Sequence, residues 1–574
     1  MRQVVAEWVL MHEISFSMVE DEGFNRMMRC AQPLWERISR FKVKKDCVTI
    51  YNNEKAKLKR LLDATSKMSL TTNLWKSKNQ KMEYMVITVH FIDSNWKLQK
   101  RVLSFVHVPP PRRGIDIYNA IYNCLMGWGV EHKIMSISMD NASANDVAMH
   151  HLKRNFSRTR KLLCGGKIFH VRCCAHILNL MVQDGLGQIK EVIQNVRESV
   201  LYINASDARL IDFSKIVKTL SLPTRKLILD CKTRWNSTYQ LLSTAVVLKN
   251  AFSMYSDMDD HFNTCPTQEE WEKVELVCEI LGGFNRTTNL ISGSDYPTAN
   301  LFLQEIYGIK IILDRQVSDD RAFVRDMILK MKLKFDKYWG DCNMLMSIAS
   351  VLDPRWKMRA IEFSFPKIYT NNKATQNIAK VRSILVKIYA EYESMQSEIV
   401  NEANFSTVNP SEGVSSSNVP SSSLNSTALG FHEICEYVRT VETIPPPRSE
   451  LDLYIEETCL MLDRATSSSF NALVWWKENS MKYRILSKMT RDILAIPITT
   501  VASEATFSAR SHIIDTYRAS LAPETIQILI CGGDWTRSTY GVKKKFKVNN
   551  LFIAYCIMLF CHNLLMHDIH LLII

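Results

Sequence analysis

The chain has 574 residues, 46% of them hydrophobic, and 72 Lys and Arg against 59 Asp and Glu give it a net charge of +13. That length is too great for one compact core and calls for two or three structural units, each of which the hydrophobic share can furnish with an interior. The positive balance favours phosphate backbones or an anionic surface, or belongs to a merely basic soluble protein, because charge bears on association and not on fold. The 15 cysteines include no C-x-x-C pair, and the opening MRQVVAEWVLMHEISFS carries Glu7, His12 and Glu13, so reduced thiols and no secretory signal are expected.

Residues 1–64 read as a helical N-terminal region, with aromatic and aliphatic residues at three- and four-residue spacing in FSMVEDEGFNRMMRCAQPLWERI and a basic turn through Arg37, Arg40, Lys42, Lys44 and Lys45. From Lys67 the pattern changes to extended runs, KMSLTTN, MEYMVITVHFI and KLQKRVLSFVHVP, with Asp93-Ser94-Asn95 turning the second into the third. Pro109-Pro110-Pro111 ends the third strand. GIDIYNAIYNCLMGWG then reads as a helix, KIMSISMD as a buried strand, NASANDVAMHHLKRNF as a helix, IFHVRCC as a strand and AHILNLMVQDGL as an apolar helix. Three antiparallel strands, helix, strand, helix, strand and helix is the order of a ribonuclease-H-like layer, assigned here to residues 65–187.

Residues 188–403 are mostly helical by period and form an insertion; Val324, Ile328, Met331, Phe335 and Tyr338 share one face of VRDMILKMKLKFDKYW. The Ser- and Asn-rich stretch 404–430 has no hydrophobic stripe and is expected to be a disordered linker. Residues 448–538 form a final block, and 541–574 an apolar tail unlike the rest of the chain. Its uncharged stretch Val548–Met566 is about long enough to span a bilayer, but Asn549, Asn550, His562 and Asn563 interrupt it. A divergent tail is expected in place of an anchor.

Asp140 follows the apolar strand IMSISM, where it could cap the next helix or present a carboxylate at a strand end. Glu504 starts a helix rich in small residues, where a first-turn glutamate is favoured by the macrodipole. Strand-end carboxylates of this kind suit two-metal phosphoryl transfer, which gathers several of them around Mg²⁺ ions about 4 Å apart. Arg234-Trp235 could hold a phosphate and stack on an unpaired base, or be a core indole beside a surface arginine. Lys153, Arg154, Arg158, Arg160, Lys161 and Lys167 could contact a DNA backbone or line a solvated helix face. Cys164, His170, Cys173 and His176 match no common structural zinc spacing, so packing is the expected role, and no zinc finger is evident. Trp475, Trp476, Leu486, Ile493 and Leu494 supply apolar surface for dimerisation or for the chain's own core.

The segment from Trp475 to Trp535, with Leu486-Ser487-Lys488-Met489, Ile496-Pro497, Ala502-Ser503-Glu504 and the block Arg518 to Glu524, resembles the C-terminal dimerisation segment of hAT-family DNA transposases. The likeness extends from about Phe16 to Ser538 through SFVHVPPPRRG, SMDNASAND, RCCAHILNLMVQDGL, KTRWNSTY and SIASVLDPRWKM, and is to plant proteins of the domesticated, sleeper-like class. Members commonly begin with a BED-type zinc finger; this sequence starts after that module would end.

The resemblance implies a fold of class α/β plus α: a ribonuclease-H-like core interrupted by a helical insertion and completed by the dimerisation segment. It also implies Asp140 and Glu504 as the second and third catalytic acids and Mg²⁺ ligands, His176 near the scissile phosphate, and a subunit interface in the final block. The family's first aspartate stands in a Thr-Thr-Asp-Leu-Trp context, which here reads Thr71-Thr72-Asn73-Leu74-Trp75. Asparagine removes a full negative charge from a site that must neutralise divalent cations. The expectation is therefore a nuclear, homodimerising, transposase-derived DNA-binding protein with a disabled nuclease. It would have no small-molecule substrate, no membrane partner and no cofactor needed for binding; the alternative is an active transposase using Mg²⁺ for DNA cleavage and strand transfer.

Overall fold

The computed structural model describes residues 1–77, 81–339, 343–406, 448–463, 466, 469–508 and 521–542. The expected linker from residue 407 on, Arg518, and the apolar tail from residue 543 on lie outside the described residues. Among the described residues no helix is long and apolar enough to cross a membrane. The chain divides into two compact units, one made of Met1–Asn343 and the chain from Leu494 onward, the other of Met344–Ile493.

Three helices open the first unit: α1 (Arg2–His12), α2 (Glu22–Ala31) and α3 (Arg40–Asp63). Then come β1 (Met68–Lys76), β2 (Glu83–Ile92), β3 (Leu98–His107), α4 (Gly114–Trp128), β4 (Ile134–Met139), α5 (Ser143–Thr159), β5 (His170–Arg172) and α6 (Cys174–Leu186). The strands form one sheet in the order β3-β2-β1-β4-β5. β1, β2 and β3 pair antiparallel, whereas β4 pairs parallel to β1 and β5 parallel to β4. This is the ribonuclease-H-like arrangement that the order of runs predicts. Asp93 makes the β2–β3 turn by accepting the N–H groups of Asn95 (2.9 Å) and Lys97 (3.0 Å) on one carboxylate oxygen.

Helices α7 (Lys190–Asn204), α8 (Asp207–Thr219), α9 (Trp235–Val247), α10 (Lys249–Ser256), α11 (Gln268–Ile291), α12 (Phe302–Gln316) and α13 (Ala322–Trp339) continue the unit. The stripe of α13 is buried at Val324, Ile328, Met331 and Phe335 as expected, but ends on Trp339, with Tyr338 only half-buried. α13 lies close against α6 at Gly185, where an added Cβ would come within 2.7 Å of the Met331 sulfur. A larger residue there would have to displace the Met331 side chain.

The second unit holds α14 (Met344–Val351), α15 (Lys357–Ile368), α16 (Asn371–Ser406), α17 (Glu450–Glu456), α18 (Ala472–Glu478) and α19 (Arg484–Leu494), whose last residue already belongs to the first unit. Its core gathers on the Val351-Leu352-Asp353 turn. Tyr454 donates to the Val351 carbonyl (3.0 Å), Trp476 to that of Leu352 (2.8 Å), and Arg355 grips the buried Asp353 carboxylate at 2.9 and 2.8 Å. The boundary between the two units falls inside the final block, at 493/494 within α19, and the chain from Leu494 onward belongs with the sheet.

Two helices complete the first unit, α20 (Val501–Ser508) and α21 (Pro523–Thr539). β3 is an edge strand, and α21 covers it by bonding both backbone groups of Val102: Asp534 accepts its N–H (2.9 Å) and Trp535 donates to its carbonyl (2.8 Å).

At the start of α19 the Glu450 carboxylate acts as a cap by accepting the N–H groups of Arg484, Ile485 and Leu486 at 2.8 to 2.9 Å. Three otherwise unpaired donors at a positive helix end depend on this one side chain. Glu450→Ala is expected to cost about 1–2 kcal/mol, read as a lowered denaturant midpoint with unchanged slope; an unchanged midpoint would show that solvent replaces the cap.

Candidate functional site at the ends of β1 and β4

The parallel register Leu70↔Ile137 and Thr71↔Ser138, carried two places further, sets Asn73 beside Asp140 at the C-terminal ends of their strands. Crevices at such strand ends are where open α/β sheets place their ligands. Asp140 is not the N-cap of α5; Ala142 is. One Asp140 oxygen accepts the Ala142 N–H (2.9 Å) and the Asn145 side-chain amide (2.6 Å), which fixes the carboxylate at the mouth of the turn. The Asn73 side-chain oxygen accepts the N–H of its neighbour Leu74 at 2.8 Å.

α20 delivers Glu504 by resting on a polar sheet face. Ser503 Oγ lies 2.6 Å from Thr71 Oγ1 and 3.4 Å from Thr88 Oγ1, and Thr71 Oγ1 lies 2.9 Å from His90 Nε2. All four side chains are buried. On the other side of Glu504, Cys173 Sγ accepts the Thr500 N–H (3.3 Å) and lies 3.2 Å from His176 Nδ1. The Thr500 hydroxyl stands 3.0 Å from Glu504 Oε1 and 3.2 Å from the same sulfur, with one proton to give. His176 Nδ1 is 3.8 Å from Glu504 Oε1. Burial works to lower its pKa, but the Cys173 hydrogen bond and charge and the Glu504 and Asp140 carboxylates outweigh it and bring it to about 9.

Asp140, His176 and Glu504, far apart in sequence, therefore come together at one sheet end, toward which the β1 register directs Asn73. The donor set does not suit a pair of Mg²⁺ ions. It offers two carboxylates and one neutral amide whose oxygen already accepts a backbone N–H, and among the described residues no three His, Cys, Asp or Glu side chains gather as a metal cage. Cys173 and His176 adjoin each other, while His170 is mostly buried, held at about pKa 4 by burial and then by Arg172.

Four family profiles match the chain: the ZBED1 RNase-like domain at 71–168, the ZBED1 RNase-like helical domain at 171–280, the hAT-like transposase RNase-H fold at 300–392 and the hAT family C-terminal dimerisation region at 450–536. Zinc finger BED domain-containing protein RICESLEEPER 2 of Oryza sativa subsp. japonica is 33% identical over 541 residues, covering 92% of this chain and 73% of the relative. The chain belongs to the hAT transposase-like family. DAYSLEEPER of Arabidopsis thaliana is 31% identical over 536 residues (93% and 73% of the two chains), and an AC transposase of Zea mays 34% over 542 residues (92% and 64%).

The residues expected at hAT DNA and subunit contacts are placed unevenly. Trp235 is 2% exposed and packed inside the first unit, so the indole has no face to offer a base, and its backbone N–H donates to the Asn179 side-chain oxygen (3.1 Å); Arg234 beside it is exposed. Lys153, Arg154, Arg158 and Lys161 are exposed, but Arg160 is half-buried, with its guanidinium 5.0 Å over Phe156 and bonded to the Ile134 carbonyl. Ile134 begins β4 and Asp140 follows its end, so α5 carries this basic run away from the site by about 1.5 Å per residue. Trp476, Leu486, Ile493 and Leu494 are buried within the chain itself, leaving only Trp475 of the expected interface set partly exposed.

The loop before α9 is tied to α6 through Gln183 and the Lys232 carbonyl (3.3 Å) and exposes Arg225 and Lys226.

His90 is fully buried, and burial followed by the Lys100 charge lowers its pKa to about 3. Both His90 and His170 are depressed below their free value, so the stability they hold is full above about pH 6.5 and is lost as pH falls toward 4 and 3. Urea unfolding between pH 6.5 and 4 should show a slope of up to about 1.4 kcal/mol per pH unit for each histidine, flattened in His90→Gln; equal slopes would contradict a neutral His90 beneath α20.

Proposed function

We propose that the chain is a transposase-derived, nuclear, homodimerising DNA-binding protein whose nuclease centre is silent. What supports this reading is Asn73 near the end of β1, whose register with β4 runs toward Asp140: the frame that holds Asp140, His176 and Glu504 is in place, while the position that the family resemblance makes an acid is neutral. A site short of one carboxylate holds divalent cations weakly, and phosphoryl transfer without them lacks both the activated nucleophile and the stabilised leaving group. The match to a hAT dimerisation region supports self-association, and the net charge of +13 supports a phosphate-bearing partner. Arg234, Lys153, Arg154, Arg158 and Lys161 supply exposed cations for it. Subunit contact falls to groups the core leaves outside, among them Trp475, Val474 and Met481.

The test is cleavage and strand transfer on labelled terminal-repeat DNA with Mg²⁺ or Mn²⁺, comparing the full chain with Asn73→Asp. The parent should bind without cutting, and the reversion should raise cleavage by about a hundredfold or more. Cleavage by the parent at the rate of the reversion would return the chain to the working transposases.

A further inference from the structure

Residues 220–234, between α8 and α9, form no helix or strand, yet hydrogen bonds fix them at Leu227 and from Asp230 to Lys232. The Leu227 carbonyl accepts from Asn204 (3.3 Å), the Cys231 N–H donates to Ser237 (2.8 Å), and Gln183 donates to the Lys232 carbonyl (3.3 Å). At the centre the Arg197 guanidinium forks onto Asp230 at 2.7 and 2.8 Å, and Thr238 donates to the same carboxylate at 2.7 Å. Asp230 is 1% exposed, so the loop's one acid is spent inside. Long loops held in this way are commonly functional, because ordering them costs backbone entropy that packing alone does not require.

The anchored loop presents side chains of two kinds outward. Arg225, Lys226, Lys232 and Arg234 are exposed, and none forms an ion pair with a carboxylate among the described residues. Between them stand two adjacent aliphatic side chains, Ile228 at 47% and Leu229 at 42% exposure. Four cations around an exposed aliphatic pair complement a polyanion that also shows apolar faces. Nucleic acid is that polymer where its bases are unstacked: phosphates meet the cations, and Ile or Leu wedges against an opened base step. Regular duplex offers the phosphates alone. The loop also adjoins the site, since Gln183 and Asn179, which hold Lys232 and Trp235, lie on α6 one and two turns beyond His176.

We propose that residues 225–234 are a recognition loop for DNA with unstacked bases, in which Ile228 and Leu229 wedge into the opened step and Arg225, Lys226, Lys232 and Arg234 hold the flanking phosphates. This rests on the DNA-binding reading and adds a preference that reading does not contain. With Trp235 buried, the aliphatic pair takes the apolar contact expected of the indole.

The experiment measures equilibrium binding of the full chain, by fluorescence anisotropy over a salt series, to a continuous 20-bp duplex and to the same duplex carrying a two-nucleotide bulge; these probe lengths are set at roughly two helical turns. Parent protein should favour the bulged probe. Ile228→Ser with Leu229→Ser, both exposed, should weaken bulge binding about tenfold and leave duplex binding unchanged. Arg225→Gln, Lys226→Gln and Lys232→Gln together should weaken both probes and reduce the salt slope by roughly 2 to 3. Unchanged bulge preference in the aliphatic variant, or no preference in the parent, would overturn the proposal while leaving DNA binding standing; no binding of either probe by the parent would overturn both.

Discussion

The parallel pairing of β1 with β4 is the constraint on which the rest of the first unit depends. Residues some seventy apart in sequence reach the same sheet end only because Leu70 pairs with Ile137 and Thr71 with Ser138. A slip of one place would turn every side chain of β1 to the other face, removing Asn73 from Asp140 and Thr71 from Ser503 together. Burial on both sides prevents the slip: β4 is buried from Ile134 to Met139, and β1 from Met68 to Thr72.

That sheet end is built from polar contacts to a degree unusual for a sheet interior. Ser69 and Ser136 bond each other at 2.9 Å, Ser138 donates to the Pro497 carbonyl at 2.5 Å, and Thr71, Thr88, His90 and Ser503 form the seat of α20. Hydroxyls pair at short range and in fixed directions, so they hold a helix at one position where an apolar face would tolerate several. Glu504 is placed by this seat and by the Cys173–Thr500 contact, both of which persist beside a neutral residue 73. The seat that places Glu504 is thus independent of the charge at position 73.

Much of this was legible in the sequence, and the failures have physical causes. The strand and helix order could be read from apolar runs because each element's period is local. Asp140, His176 and Glu504 were placed together by resemblance, and the register supplies the reason. Trp235 beside Arg234 gave no sign of its burial, since a core indole and a stacking indole look alike in one sequence. The basic run from Lys153 to Lys161 comes soon after Asp140 in sequence, but a helix leaving a strand end carries its far residues back along the sheet. Glu450 capping a helix that starts 34 residues later is a tertiary contact that no local pattern announces.

On the proposed reading, one missing charge at position 73 decides whether this site holds divalent metal. Calorimetric titration of Mn²⁺ into the full chain and into Asn73→Asp tests it without requiring DNA or turnover. The reversion should bind at least about tenfold more tightly than the parent, in keeping with carboxylate count setting affinity for hard cations. Equal affinity in the two proteins would show that Asp140 and Glu504 suffice, and would contradict a silenced centre.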